Sequence, residues 1–198
     1  YNAKYPEFIA NQIVASIQMA EKRLNAGAWS FNELSIPSLI NNRLVGTQGI
    51  TDPSLKLMAL KSGMQEGVHV FYGAHATCLS GENKQMSRDY PGVFSDWVVN
   101  HTPLDFAVYS AGAVASMGPE TGPKQGFDRA QFMGEEMAKQ VALIQQFGFP
   151  YENQLNLSFF RIPLFLRQPM VKISENWALR PWIFKWAFGH SPLEISMI

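Results

Sequence analysis

The sequence predicts a mixed α/β fold, a mixed sheet with flanking helices, and two observations carry this prediction. Stretches with helical periodicity alternate with strand-like apolar runs along the whole chain. Hydrophobic residues make up 46% of the 198 residues and charged residues only 16%, against about 25% charged in an average domain. A chain of this length and composition buries a sizeable core, so a disordered protein is excluded.

Three stretches have the apolar spacing and boundaries of helices. From Pro6 to Leu24, isoleucines recur every four residues, which indicates an amphipathic helix. A second long helix is predicted from Phe127 to Gln146, followed closely by a glycine and a proline that end it. A shorter helix is predicted from Asp89 to about Asn100, with a proline in its first turn.

Apolar runs typical of strands fill most of the remaining sequence. Two of them, Leu55–Leu60 and Val68–Tyr72, flank a Ser-Gly pair and are expected to form a hairpin or two neighbouring strands. The residues from Asn41 to Arg43 are expected in a polar loop. The other predicted elements are the strands Trp29–Ile36, Phe106–Tyr109 (short and buried), Leu155–Leu166, Met170–Ile173 and Leu193–Ile198, and a short aromatic helix from Pro181.

Charge and cysteine content exclude several classes of protein. Sixteen basic and sixteen acidic side chains balance, so there is no field that attracts phosphate backbones and no nucleic-acid partner is expected. The single cysteine, Cys78, rules out an internal disulfide and a multi-cysteine zinc cluster, and is expected in the core. No HExxH, GxSxG, CxxC or Walker A motif occurs. The sequence also lacks the roughly 20 consecutive apolar residues of a membrane-spanning helix.

Among the four histidines, His75 is the best placed for chemistry. It follows a hydrophobic strand, and active residues of α/β proteins tend to lie just past strand ends. A neutral imidazole at this position can bind zinc, but the same pattern suits a histidine that bonds to nearby backbone, and the residues alone leave both open. We expect His69 on a solvent-facing side of the strand, and His101 and His190, each closely followed by proline, in loops.

Three other features are candidates for function. Arg43 can clamp a carboxylate or a developing oxyanion, although an exposed arginine is as readily solvated. The small residues of Ala111–Pro119 let a backbone approach another group closely, without the glycine spacing of a dinucleotide site. Asp89 and Asp96, near Arg88, are expected to cap the short helix and not to form an acid-base pair.

The order of these pieces is more informative than any one of them. An Asn42-Arg43-Leu44 segment precedes an apolar strand, the Phe71–Leu79 segment delivers His75, Ser80–Lys84 follows, and the small-residue loop Ala111–Pro119 comes later. This order, over about residues 8 to 147, resembles the central part of the neutral/alkaline non-lysosomal ceramidase family, whose segments read approximately NRSP, FAVHPTSM, SGDNKG and QGAAGDVNP. The segment Ser174–Trp182 is also similar to a segment of bacterial members of this family.

The resemblance implies a zinc-dependent amidase. In the family the histidine corresponding to His75 binds zinc, and the arginine corresponding to Arg43 lies near the reacting group. Zinc lowers the pKa of bound water to about 7 and polarises a carbonyl, which supplies both nucleophile and electrophile. The substrate implied is ceramide or a related N-acyl lipid, and the loop containing Gly112, Ser116 and Gly118 is expected beside the scissile carbonyl.

The resemblance is incomplete in ways that matter for function. The family's other zinc ligands come from segments with no counterpart here, so residues 1–198 are expected to be the central portion of one larger catalytic domain, completed by the rest of a parent chain. This expectation agrees with a start at Tyr1 without methionine. Gly118 stands where well-known members have a serine, and Ser116 where many have Asp or Asn. We expect these residues alone to bind zinc weakly and to have little activity.

Two other interpretations stay open. One is a non-catalytic lipid-binding or structural relative, motivated by the missing serine and the aromatic C-terminal segment. The other is a serine hydrolase that uses Ser116 with a histidine, although the sequence around that serine has no nucleophile elbow. The resemblance further implies a periplasmic, secreted or outer-membrane-surface location and peripheral membrane contact, while the chain shows no targeting signal of its own.

Overall fold

A computed structural model describes residues 4–156 and 158, together with the backbone of four short strands beyond them. The chain divides into two compact units, Tyr1–Leu155 and Asn156–Ile198. The first unit contains α1 (Tyr5–Glu21), β1 (Ala28–Ser35), β2 (Ile40–Asn42), β3 (Ser54–Ser62), β4 (Gln65–Tyr72), α2 (Asp89–His101), β5 (Phe106–Ala111), β6 (Met117–Pro119) and α3 (Gly126–Phe147). The second contains β7 (Ile162–Pro163), β8 (Lys172–Ser174), β9 (Trp177–Ala178) and β10 (Ser196–Met197).

Four strands of the first unit form one mixed sheet in the order β1-β3-β4-β5. The predicted β3–β4 hairpin is confirmed, and its turn includes Gly63 at a φ of 59°, a value that glycine adopts without steric cost. β4 and β5 are parallel and are connected through α2. Their carboxyl ends, at Tyr72 and Ala111, therefore lie at the same edge of the sheet, and the loops that leave them are neighbours.

The core lies between one face of the sheet and the helices α2 and α3. Alternate residues of β3, Leu55, Leu57 and Ala59, are fully buried, as the two-residue period of a strand requires. They belong to one hydrophobic cluster with Phe94 of α2 and Met137 of α3. The mixed α/β class with helices beside a mixed sheet is thus confirmed.

The opposite face of the sheet is exposed. A row of side chains crosses all four strands on this face, because Phe31 pairs with Met58, Met58 with His69, and His69 with Val108. Phe31 and Val108 are 53% and 45% exposed. The helix predicted near the N-terminus is confirmed as α1, but none of its side chains is buried. Both surfaces expose apolar groups to water.

Several expectations from the sequence are wrong in detail. β5 is not buried, because it is the last strand of the sheet order and its Phe106 side chain is 38% exposed. Asn41 and Asn42 do not lie in a loop but in β2, which pairs antiparallel with β6. His101 is the last residue of α2 and not a loop residue, since the helix continues to the turn before Pro103.

The remaining expectations concern Asp96 and the C-terminal part of the chain. Asp96 does not cap α2, because its carboxylate pairs with Arg88 at 2.6 Å on the exposed surface. His190, the predicted helix from Pro181 and most of the predicted strands after residue 158 lie outside the described residues. The backbone there shows two antiparallel strand pairs, β7 with β10 and β8 with β9. In the described part of the chain, no helix combines the length and apolar character needed to cross a membrane.

Candidate functional site

The candidate site is built on the antiparallel pairing of β2 with β6. Asn41 pairs with Gly118 and Asn42 with Met117, so two segments far apart in the chain lie side by side. Just beyond the last pair, the Arg43 N–H donates to the carbonyl oxygen of Ser116 at 3.0 Å. The strand pair therefore places the Asn-Arg segment directly beside the small-residue loop.

The loop that leaves β4 adds the third segment. The N–H of His75 donates to the carbonyl oxygen of Met117 at 3.1 Å, and the N–H of Gly112 donates to the carbonyl oxygen of Tyr72 at 2.9 Å. Both bonds form at the edge where the parallel strands β4 and β5 end. The structure thus brings together all five residues singled out from the sequence, Arg43, His75, Gly112, Ser116 and Gly118.

Arg43 has an exposed guanidinium that braces this loop. Its Nε and Nη2 atoms donate to the carbonyl oxygen of Ala115, at 3.0 and 2.8 Å. A guanidinium has further N–H donors, and no carboxylate of the described residues forms an ion pair with Arg43. The side chain can therefore hold the loop and still donate to another group.

Gly118 and Ser116 occupy different environments in the small-residue loop. Gly118 is buried, and a Cβ atom added to it would lie 3.5 Å from Asn41 Oδ1 and 3.7 Å from Arg43 Cβ, which are ordinary van der Waals distances. Ser116 is half-buried, and none of the hydrogen bonds of the described residues involves its hydroxyl. The loop therefore has space for a Cβ atom at Gly118.

Asn42 is a buried residue whose role the sequence did not indicate. Its Oδ1 accepts hydrogen bonds from the N–H groups of Leu44 and Val45, at 3.0 and 3.2 Å. Its Nδ2 donates to the carbonyl oxygen of Ile50 at 3.0 Å. An asparagine that bonds to backbone two residues ahead is a common turn former, and this preference is the signal that could have identified it. Asn42 thus shapes the chain that carries Arg43.

A side-chain hydrogen bond between Asn41 of β2 and Glu120, the residue after β6, also connects these two strands. Asn41 Nδ2 donates to Glu120 Oε2 at 2.8 Å, and the second carboxylate oxygen accepts from the Gly122 N–H at 2.9 Å. The Gly122 N–H, followed by the Asn41 amide, lowers the pKa of Glu120 below its usual 4.5. The carboxylate is therefore ionised at neutral pH and fixed beside the strand pair.

Two tyrosines contact the loop that carries His75. The Tyr90 hydroxyl donates to the carbonyl oxygen of Ala74, and the Tyr109 hydroxyl lies 3.2 Å from the same oxygen. Burial is the main cause that raises the pKa of both phenols, so both remain protonated at neutral pH. No sequence pattern indicates these contacts, because they depend on how α2 packs against β5.

The other acidic and sulfur groups near this loop serve the fold. Asp89 has a φ of 53° at the start of α2, and its carboxylate accepts the N–H groups of Leu79 and Tyr90, at 3.0 and 2.6 Å. Asp89 is the first residue of α2 and makes no capping hydrogen bond, so the cap expected from the sequence is not formed. Cys78 is buried as predicted, and burial raises the pKa of its thiol, which disfavours the thiolate that a metal needs.

The described residues do not provide a complete zinc site. Catalytic zinc is held by three protein ligands in most enzymes, and no group of three His, Cys, Asp or Glu side chains comes together in residues 4–156. His75, which is half-buried, is one candidate ligand. His69 lies on the exposed sheet face, where its Nε2 is 2.8 Å from the Ser110 hydroxyl. The residues present thus fit one ligand of a zinc site and not the whole set.

Comparison with solved structures finds ceramidases. The neutral ceramidase from Pseudomonas aeruginosa matches with a TM-score of 0.59 and 19% identity, over 71% of this chain and 26% of that chain. A structure described as ceramidase complexed with C2 matches with a TM-score of 0.55 and 16% identity, over 67% of this chain and 24% of that one. No family model and no curated protein matches the sequence.

These identities are too low to show more than a shared fold. The chain spans about a quarter of the length of the solved ceramidases that it matches. The resemblance drawn from the order of sequence segments is confirmed at the level of the fold. The chain therefore has the fold of a segment of a neutral ceramidase.

Proposed function

We propose that this chain forms part of the active site of a ceramidase-like zinc amidohydrolase, which cleaves the amide bond of ceramide or a related N-acyl lipid. The observation that carries the proposal is the meeting of Arg43, His75 and the 112–118 loop at one sheet edge, in a fold shared with neutral ceramidases. The order of the segments in the sequence supports the same conclusion.

His75 would provide one ligand to zinc, with the remaining ligands outside the described residues, in the rest of a parent chain. The metal, when bound, polarises a carbonyl and lowers the pKa of bound water. The protein's contribution is to hold the imidazole in place. The loop from Tyr72 to Thr77 does so through backbone bonds on both sides of His75, including the Thr77 N–H to the His75 carbonyl at 2.7 Å.

Arg43 and the small-residue loop would bind the amide group of the substrate. The guanidinium uses two N–H donors on Ala115, and a remaining donor can bind the carbonyl oxygen as negative charge develops on it. Gly112, which is exposed, and half-buried Ser116 leave the loop open to a substrate. Ser116 would line the site and not act as a nucleophile, since its hydroxyl has no histidine partner among the described residues.

The test is a His75→Ala substitution in the intact protein, with zinc content and hydrolysis of an N-acyl sphingoid amide measured together. We expect both to fall, because the variant removes a metal ligand and leaves the fold in place. His101→Ala is a matched control, since that exposed histidine lies at the end of α2, where it bonds the Trp97 carbonyl at 2.9 Å and stacks on the Trp97 ring with centroids 4.5 Å apart. Unchanged zinc content and hydrolysis in His75→Ala would refute the assignment.

A non-catalytic lipid-binding relative is the second candidate. It is favoured by the presence of only one candidate zinc ligand in the described site and by glycine at position 118. The same intact protein distinguishes the two candidates. Binding of an N-acyl lipid without turnover, at full zinc loading, would support the second and contradict the first. A Ser116→Ala variant that retains hydrolysis would dispose of the serine-hydrolase interpretation.

A further inference from the structure

The peptide group that joins Ala74 to His75 is hydrogen-bonded on both sides. Its N–H, which belongs to His75, donates to the carbonyl oxygen of Met117 at 3.1 Å. Its carbonyl oxygen, which belongs to Ala74, accepts from the Tyr90 hydroxyl and is 3.2 Å from the Tyr109 hydroxyl. Because a peptide group is planar, bonds at its two ends fix the whole plane. The direction in which His75 leaves the backbone depends on that plane.

The two phenols come from different elements and act as a pair. Tyr90 of α2 is fully buried and Tyr109 of β5 is half-buried. Their hydroxyl oxygens are 2.6 Å apart, and their rings pack edge to face with centroids 5.5 Å apart. The Tyr109 hydroxyl also lies 3.1 Å from the carbonyl oxygen of Tyr72, where β4 ends. The pair therefore connects α2, β4 and β5 to the loop that carries His75.

Hydrophobic packing alone does not require these hydroxyl groups. Phenylalanine would fill the same space, and a buried phenol must find a polar partner. Here both partners are carbonyl groups of the chain that runs from the end of β4 into residues 73–88, a segment with neither helix nor strand. Ala74 lies in that segment and cannot satisfy its carbonyl through a helix or sheet, so the phenols supply its hydrogen bonds, whereas the Tyr72 carbonyl also accepts from the Gly112 N–H.

We propose that Tyr90 and Tyr109 are positioning residues, which orient His75 in the site through the Ala74–His75 peptide group. The inference rests on the proposed function for what His75 binds. The hydrogen bonds themselves do not depend on that function, so the positioning role can be tested in metal-free protein as well as through zinc binding.

The experiment compares Tyr109→Phe, Tyr90→Phe and the double variant in the intact protein. One readout is the rate at which diethyl pyrocarbonate modifies His75 in the metal-free protein, followed by mass spectrometry, with His101 as an internal reference. The other is the affinity for Zn²⁺ alone, measured by competition with a chromophoric chelator. We expect faster or slower modification of His75 with no change at His101, and roughly a tenfold or greater loss of zinc affinity in the double variant.

The double variant is the sharpest comparison. Each single variant leaves one hydroxyl beside the Ala74 carbonyl, whereas the double variant leaves none, so its effect should exceed the sum of the single effects. Tyr151→Phe is the matched control, because its hydroxyl bonds Glu66 at 2.6 Å, near the opposite end of β4 from His75. It should leave both readouts unchanged. If Tyr90→Phe does not fold, Tyr109→Phe with both readouts decides the question.

The outcomes separate this inference from the proposed function. Lower thermal stability with unchanged His75 modification and unchanged zinc affinity would overturn the positioning role, because the hydroxyls would then serve stability alone. Altered His75 modification in Tyr109→Phe, together with undiminished zinc binding in His75→Ala, would support the positioning role and overturn the proposed function.

Discussion

Two nitrogens of Arg43, Nε and Nη2, donate to a single carbonyl oxygen, that of Ala115, at 3.0 and 2.8 Å. The Arg43 N–H bonds the next carbonyl along, that of Ser116. These bonds tie the turn between β5 and β6 to the end of β2. The arginine chosen from the sequence for its chemistry is therefore also a structural brace of the loop beside it.

Replacing Arg43 should loosen this turn. Arg43→Ala should lower the free energy of unfolding by about 1 kcal/mol, since the lost bonds involve a charged donor but the side chain is exposed. Arg43→Lys should recover only part of this loss, because lysine lacks the planar fork. Urea unfolding followed by circular dichroism measures both. Arg23→Ala, at an exposed position after α1, should change the free energy of unfolding by no more than about 0.5 kcal/mol. A loss in Arg23→Ala equal to that in Arg43→Ala would contradict the structural role of Arg43.

Asn42 should matter more for stability than its neighbour Asn41. Asn42→Ala removes three hydrogen bonds made by a buried side chain, to the N–H groups of Leu44 and Val45 and to the Ile50 carbonyl, and should cost about 2 kcal/mol. Asn41→Ala removes one bond, to Glu120, from a half-buried side chain and should cost about 0.5 to 1 kcal/mol. The same urea titration ranks the two variants. The reverse order would show that Asn42 does not hold its turn.

The features that could be predicted from the sequence are those whose signal is local. The β3–β4 hairpin follows from two apolar runs around a Ser-Gly turn, and α3 from a long helical period that ends at Gly148. His75 could be selected because it follows a strand. In each case neighbouring residues in the chain carry the necessary information.

The pairing of β2 with β6 could not be predicted, because its information is not local. Asparagine and glycine are poor strand formers, so Asn41, Asn42 and Gly118 indicate a loop, and only contact between the distant segments makes them a strand pair. The exposure of β5, which the sequence predicts to be buried, could not be predicted for a related reason. An apolar run predicts burial on at least one side, but it does not say that a strand will be the last in its sheet.

Gly118 should tolerate an added side chain, whereas Gly134 should not. Gly118→Ala should change the free energy of unfolding by less than about 0.5 kcal/mol, because its Cβ would make only ordinary contacts at 3.5 Å or more. Gly134→Ala should cost about 1 to 3 kcal/mol, since its Cβ would lie 2.6 Å from Val93 Cβ where α3 packs on α2. Thermal unfolding of both variants tests the contrast. A large loss in Gly118→Ala would mean that the β2–β6 pair is tighter than these distances indicate.

Stability should decline with acidification partly through Glu120. Its pKa is lowered in the folded chain by the Gly122 N–H and the Asn41 amide, so its contribution is complete above the usual pKa of 4.5 and is lost as the pH falls through the lowered folded value. Glu120→Gln should therefore flatten the fall in melting temperature below about pH 5. Glu7→Gln on exposed α1 is the control and should leave the acid limb unchanged. If the melting temperature of Glu120→Gln fell with acidification as steeply as that of the unsubstituted protein, the lowered pKa of Glu120 would be contradicted.

Helix α1 should contribute little to the stability of the chain although its sequence is as apolar as that of a core helix. Ile13 is 55% exposed, so Ile13→Ala removes a side chain that is mostly in water already and should cost no more than about 0.5 kcal/mol. Val141 of α3 is fully buried, and Val141→Ala should cost about 1.5 to 3 kcal/mol. Because exposed apolar groups favour association, Ile13→Ser combined with Ile17→Ser should also reduce concentration-dependent self-association in sedimentation velocity. A core-sized loss of stability in Ile13→Ala would mean that α1 packs against the rest of the chain in solution.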